Sequence, residues 1–288
     1  MIRLLSSYLK LIKPSIMLLV LVTGAASLVL QGDLIHKPPE FVFVLLGLLL
    51  TGGSANALNM YFERDIDAKM ARTGKRRPIP LGIILPFKAL MFALIIGLIG
   101  VSLFAFRFNI LSALLALGTI VYYAFFYTLF LKPRTRYNIV IGGAAGSMAP
   151  VIAWAAATNS IAIEPLILFA IIFLWTPPHF WSLALYFKKD YELVGYPMMP
   201  VAAGDNQTKR LILLYTLIVV LFSFLLHCSG AGLIYGLIAF AAGAVFVYRA
   251  AALYRSESEA RARELFSYSI IYLFVLFAGV MADVLLRR

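Results

Sequence analysis

Amide and carboxylate side chains recur at helical spacing in the stretch from Ala55 to Pro80, ANALNMYFERDIDAKMARTGKRRPIP. At about 100° per residue, Asn56, Asn59, Glu63 and Asp67 fall within an arc of roughly 80°, so a single helix face carries oxygen ligands. Hard divalent cations such as Mg2+ take such oxygens, keep part of their water and bridge protein carboxylates to substrate phosphates. Asn59, Glu63 and Asp67 are therefore candidate Mg2+ ligands. Arg72, Lys75, Arg76 and Arg77 follow closely, and guanidinium groups grip phosphate oxygens in bidentate fashion. The combination predicts a metal-diphosphate site. The plainer alternative is a solvated helix end whose acids and bases pair with one another and mark topology. Asp65, on the opposite side of the helix, fits that alternative better.

A second stretch, WTPPHFWSLALYFKKDYELVGYPMMP from Trp175 to Pro200, offers related chemistry. Pro177 and Pro178 are expected to kink or break their helix, which a membrane tolerates only where protein or a cavity satisfies the freed carbonyls. His179 follows two to three turns before the expected interface, a depth at which an ionisable group is a functional candidate. The alternative for it is a neutral histidine hydrogen-bonded to a neighbouring helix. Asp190 is a candidate additional metal-shell carboxylate, and Lys188 and Lys189 are candidate phosphate contacts. Tyr61-Phe62-Glu63-Arg64-Asp65-Ile66-Asp67 also parallels Tyr186-Phe187-Lys188-Lys189-Asp190-Tyr191-Glu192. If the likeness is a repeat, two polar helix ends face one shared pocket.

The elements that must position these groups are membrane spans. With 62% hydrophobic and 13% charged residues in 288, the chain lies far outside soluble globular composition and reads as an all-α polytopic membrane protein. Apolar runs suffice for about nine helices. These are expected near Pro14 to Leu30, Phe41 to Tyr61, Lys88 to Phe106, Asn109 to Phe130, Tyr137 to Ala157, Pro165 to Phe187, Leu211 to Ser229, Ala231 to Tyr254 and Phe266 to Leu286. The segment before Lys13 is too polar for a signal-peptide core, so the first run reads as a retained span.

Basic residues alternate sharply between loops. All 25 Lys and Arg except Lys37, Arg107, Arg287 and Arg288 fall on one side, which the positive-inside rule assigns to the cytoplasm. The N-terminus is then cytoplasmic and the C-terminus external, as an odd span count requires. The net charge of +12 is thus a topology signal and does not point to nucleic acid. One cysteine, Cys228, excludes a disulfide or cysteine-metal framework within the chain. Residues 1–288 read as a single transmembrane domain with motif-bearing cytoplasmic loops near 62–87 and 188–210. Gly142, Gly143, Gly146 and Ser147 read as helix packing. Asn138 either lines a cavity or caps its helix.

Asn59-x3-Glu63-x3-Asp67, Arg72-Thr73, Arg77-Pro78, Pro178-His179-Phe180 and Lys189-Asp190-Tyr191 together resemble the UbiA-type intramembrane prenyltransferases, most closely their haem-farnesylating branch. The resemblance covers nearly the whole chain. It implies a nine-helix bundle around a central cavity in a prokaryotic cell membrane, with Mg2+ at the cytoplasmic end. It also implies transfer of a farnesyl group from farnesyl diphosphate to a vinyl group of haem b, giving haem O. Haem A synthase or a terminal oxidase assembly pathway would be partners. On this reading Asn59, Glu63, Asp67 and Asp190 hold metal, while Arg72, Arg76 or Arg77, Lys188 and Lys189 share the diphosphate charge. His179 is a haem-binding candidate.

Two departures stand out. Glu63 takes the place of the family's usual aspartate. Phe187 and Tyr191 fill the places of its second aspartate pair, with Asp190 the nearby acid, which weakens the case for a second, fully ligated metal and leaves one or two Mg2+ open. An aromatic prenyltransferase of quinone biosynthesis would keep the same diphosphate machinery without needing a haem ligand. A transporter could use kinked helices and intramembrane polar residues but has no need of an arginine-flanked acid face.

Overall fold

The computed structural model describes residues 2–228 and 231–288, with side chains for 5–227 and 231–288. Nine helices among them are long and apolar enough to cross a bilayer. They are α1 (Pro14–Gln31), α2 (Pro38–Phe62), α3 (Pro86–Arg107), α4 (Ile110–Leu131), α5 (Asn138–Thr158), α6 (Ile163–Tyr186), α7 (Asp205–Cys228), α8 (Leu233–Tyr254) and α9 (Glu259–Arg287). These match the expected spans in number and order; the expected end of the seventh, Ser229, lies outside the described residues. A further helix, Ile2–Leu11, precedes α1.

Local sequence explains most boundaries. Proline opens α1, α2 and α3 at Pro14, Pro38 and Pro86, where its missing N–H would have had no helical partner. The Asn109 side chain caps α4 by accepting from the Ser112 N–H at 2.9 Å. Asn159, left-handed at φ 54°, closes α5. Outward-facing Leu98, Phe106, Leu221, Leu237 and Phe240 are exposed, the surface that lipid replaces water against in a membrane protein.

Three features position the site. First, both seven-residue copies end a span and then turn into a six-residue helix, Arg64–Lys69 after α2 and Lys188–Leu193 after α6. Second, α4 widens into a π-helix over Tyr122–Leu131. There the Thr128 hydroxyl donates to the Tyr123 carbonyl at 2.8 Å and the Lys132 N–H to the Tyr127 carbonyl at 2.9 Å, each five residues back. Third, α6 packs on α5, α7 and α9, which makes it central to the bundle.

Two expectations need correction. Of the kink or break expected at Pro177 and Pro178, the break does not occur: α6 is helical from Ile163 to Tyr186. It packs on α5, α7 and α9, the surroundings in which a spanning helix tolerates proline. Gly142 is a packing residue, since a Cβ there would come within 2.1 Å of the Tyr127 ring. Gly146 faces open space and is not.

The far end of the bundle supports the odd span count. Arg107 pairs with Glu40 at 2.6 Å, and Arg288 donates to the Gly32 carbonyl at 3.3 Å. The chain's last residue therefore meets the turn between α1 and α2, away from the end that carries Glu63.

Candidate active site

The helix of the first arm keeps its register through the end of α2. Glu63 N–H bonds the Asn59 carbonyl at 3.0 Å and Asp67 N–H bonds the Glu63 carbonyl at 2.8 Å, so the three side chains stack one turn apart as the spacing requires. All three are buried, whereas Asp65 is exposed. Asn56 belongs elsewhere: its amide donates to the Ile12 carbonyl at 3.1 Å.

Cations from three different elements close on this acid face. Lys132, just past α4, donates to Glu63 Oε1 at 2.5 Å. Arg77 Nη1 bonds Asp67 and stands 3.6 Å from Glu63 Oε2. Lys13, just before α1, donates to Asn59 Oδ1 at 2.9 Å, and the Asn59 amide donates to Thr128 Oγ1 at 3.1 Å. Acids and bases do pair with one another here, but as a buried network and not as a solvated helix end. The polar side chains at this end of the bundle thus satisfy one another.

The charges feel this enclosure. Burial alone would raise the Glu63 carboxyl, yet Lys132 and Arg77 together hold it below its ordinary value. For Asp67 burial wins, reinforced by Glu63 and opposed by Arg77, and the carboxyl is raised. Burial and the neighbouring Arg77 push the Lys13 ammonium down to about 7, with Glu63 and Asp67 pulling the other way. Burial first, then Glu63 and Asp67, pushes the Tyr196 phenol up, and its ring lies 5.1 Å from Lys132 Nζ.

The second arm meets the first without joining the acid cluster. Asp190 accepts the Arg72 backbone N–H at 3.0 Å, and the Arg72 guanidinium lies over the Phe187 ring at 5.6 Å. Arg72 Nε is buried with no hydrogen-bond partner, an orphan donor at the junction of the two arms. Among the described residues no group of three His, Cys, Asp or Glu side chains stands ready to hold a metal. Lys188 pairs with Asp205 at 2.9 Å, and Lys189 and Arg76 are exposed. Of the two arginines before Pro78, Arg77 is the one that turns inward.

His179 is buried in α6. Its Nδ1 lies 2.7 Å from the hydroxyl of Ser269 on α9, and its ring stacks on Trp175. Lys13, Thr128 and Lys132 escaped the sequence reading. Both lysines were legible only as topology charges, because so many basic residues share that face.

The fold is a multi-pass membrane bundle with a buried acid face and converging cations at one end. The UbiA prenyltransferase family model matches residues 19–277, and the chain belongs to that family. Its relatives include the protoheme IX farnesyltransferase of Azorhizobium caulinodans, 44% identical over 97% of this chain and 92% of the relative. That of Microcystis aeruginosa is 45% identical over 96% and 88%. Among solved structures, a digeranylgeranylglyceryl phosphate synthase superposes with a TM-score of 0.78 at 17% identity, covering 98% of this chain and 99% of the other. A UbiA homolog from Archaeoglobus fulgidus bound to GPP and Mg2+ gives 0.65 at 15%, covering 95% and 99%. At those identities the fold is what is shared.

Proposed function

We propose that this chain transfers the farnesyl group of farnesyl diphosphate to a vinyl group of haem b, giving haem O. The observation that carries the reading is the acid face of Asn59, Glu63 and Asp67, buried and met by cations from three elements. The choice of haem as acceptor follows the relatives, whose likeness runs nearly the whole length of the chain.

The donor set fits Mg2+: two carboxylates and one amide oxygen suit a hard cation that completes its shell with water and substrate phosphate. When bound, Mg2+ neutralises the diphosphate and stabilises it as a leaving group. Asn59, Glu63 and Asp67 would hold it, with Asp190 steadying the Arg72 backbone beside them. The cations now on the acids have a second task. Arg77, Lys132 and Lys13 would swing from carboxylate to diphosphate oxygens, and the orphaned Nε of Arg72 would find its acceptor there. Arg76, Lys188 and Lys189 would draw the anion in from the rim.

The C–O bond to diphosphate breaks with both electrons leaving on oxygen. The allylic carbocation is shielded from water by apolar walls and is attacked by the vinyl π bond. The cation formed next to the porphyrin ring is quenched by water, which loses a proton and leaves the hydroxyethyl carbon. His179 would bind or orient the haem. The whole chain, 1–288, would act as a single domain in a cell membrane, with the acid face and N-terminus cytoplasmic and the C-terminus external. Haem A synthase or an oxidase assembly pathway would take the product.

Expression in a host lacking its own haem O synthesis, followed by haem extraction and mass analysis, tests the reading. A farnesylated, hydrated haem is expected. Haem b alone, from a correctly inserted protein, would overturn it.

A further inference from the structure

The surroundings of His179 are more ordered than haem contact by itself would need. The ring is clamped between Trp175, with centroids 4.2 Å apart and planes 18° apart, and Phe266 of α9, at 4.6 Å and 26°. Nδ1 lies 2.7 Å from Ser269 Oγ. That hydroxyl donates its one proton to the Phe266 carbonyl at 2.6 Å, so toward His179 it can only accept. Nδ1 therefore carries the hydrogen, and the neutral ring keeps a bare lone pair on Nε2. Trp175 Nε1 donates to the Ser269 backbone carbonyl at 2.7 Å, which ties the same turn of α9 to the same turn of α6.

Nε2 has no hydrogen-bond partner among the described residues. Among the described residues, the interior polar side-chain atoms that are both sealed from solvent and unpartnered are Arg72 Nε, Asn138 Oδ1 and Trp181 Nε1, and Nε2 is not one of them. The ring bonds the neighbouring helix through one nitrogen alone. It spends its first on a fixed acceptor and leaves its second open and unprotonated, which is how metal-ligating histidines are held.

We infer that Ser269 is a positioning residue for the acceptor: it fixes the tautomer and ring plane of His179 so that Nε2 meets the haem iron. The inference rests on the haem reading above. An axial bond sets the porphyrin plane. His179 lies about two turns, or roughly 10 Å, from the end of α6 at Tyr186, so a vinyl edge can extend toward the acid face while the iron stays deeper.

The test is haem titration of the purified full chain, read by absorption and by the iron–histidine stretch in resonance Raman of the ferrous complex. The native protein is expected to give that stretch. His179→Ala should lose it. Ser269→Ala should shift or broaden it and weaken haem binding 10- to 100-fold, whereas Ser269→Thr, which keeps the hydroxyl, should restore it. Should Ser269→Ala fail to fold, Trp175→Phe reads the same tie with a smaller expected shift. A native stretch in Ser269→Ala, alongside its loss in His179→Ala, overturns the role of Ser269 alone. A native stretch in His179→Ala overturns iron ligation and leaves the haem O assay free to stand. Absence of both haem binding and haem O product removes the functional reading itself.

Discussion

The two arms of the molecule share a backbone plan and differ in what they bury. Each leaves a span, turns through one residue and enters a six-residue helix. The first arm buries Glu63 and Asp67; their counterparts Lys188 and Glu192 are half-buried and exposed. Inward on the second arm stand Phe187, beneath the Arg72 guanidinium, and the buried Tyr191. The inward face has moved by one residue along the repeat, or about 100° of helix. A shared backbone plan therefore does not carry shared chemistry. One arm buries the acids, and the other supplies an aromatic wall and a carboxylate that fastens the first arm's loop.

This asymmetry is open to direct attack. The largest effect is expected from Glu63→Gln or Asp67→Asn, each lowering turnover by about 10³-fold or more in protein that still inserts; near-normal haem O formation in either would refute the metal role. Next come Lys132→Met and Arg77→Met, expected to lower turnover about 10²-fold. Because each strips a partner from a buried carboxylate, each should also reduce stability by about 3 kcal/mol, measurable as a lowered thermal midpoint in detergent. Asp190→Asn should act more gently, raising KM for farnesyl diphosphate several-fold by loosening the Arg72 backbone while leaving the Mg2+ requirement unchanged. A loss as deep as that of Glu63→Gln would make the second arm a ligand arm after all. The smallest change, under about threefold, is expected for Lys188→Ala and Lys189→Ala. Their effect should shrink further as salt screens the rim, which a KM series over ionic strength reads out.

Much of the fold was legible in advance, because length and apolarity leave a spanning chain few options. Nine runs and alternating loop charge sufficed to order the helices and set both ends on opposite sides. The acid face was legible for a similar reason: residues three or four apart on a helix must share a face. Arg76 against Arg77 was not, because both sit in a loop with no period to orient them. Lys13 and Lys132 were visible in the sequence but indistinguishable from the other basic residues of their face.

By itself, then, the sequence determined the span count, the face on which Asn59, Glu63 and Asp67 lie, and which end of the bundle carries most of the charge. Helical geometry and hydrophobic length are local rules and need no knowledge of distant contacts. Only the tertiary structure decided which cations close on those acids and which nitrogen of His179 is left open. The first depends on a π-helical turn that brings Thr128 and Lys132 to α2. The second depends on a serine ninety residues away on another helix, and no local pattern encodes which helices become neighbours.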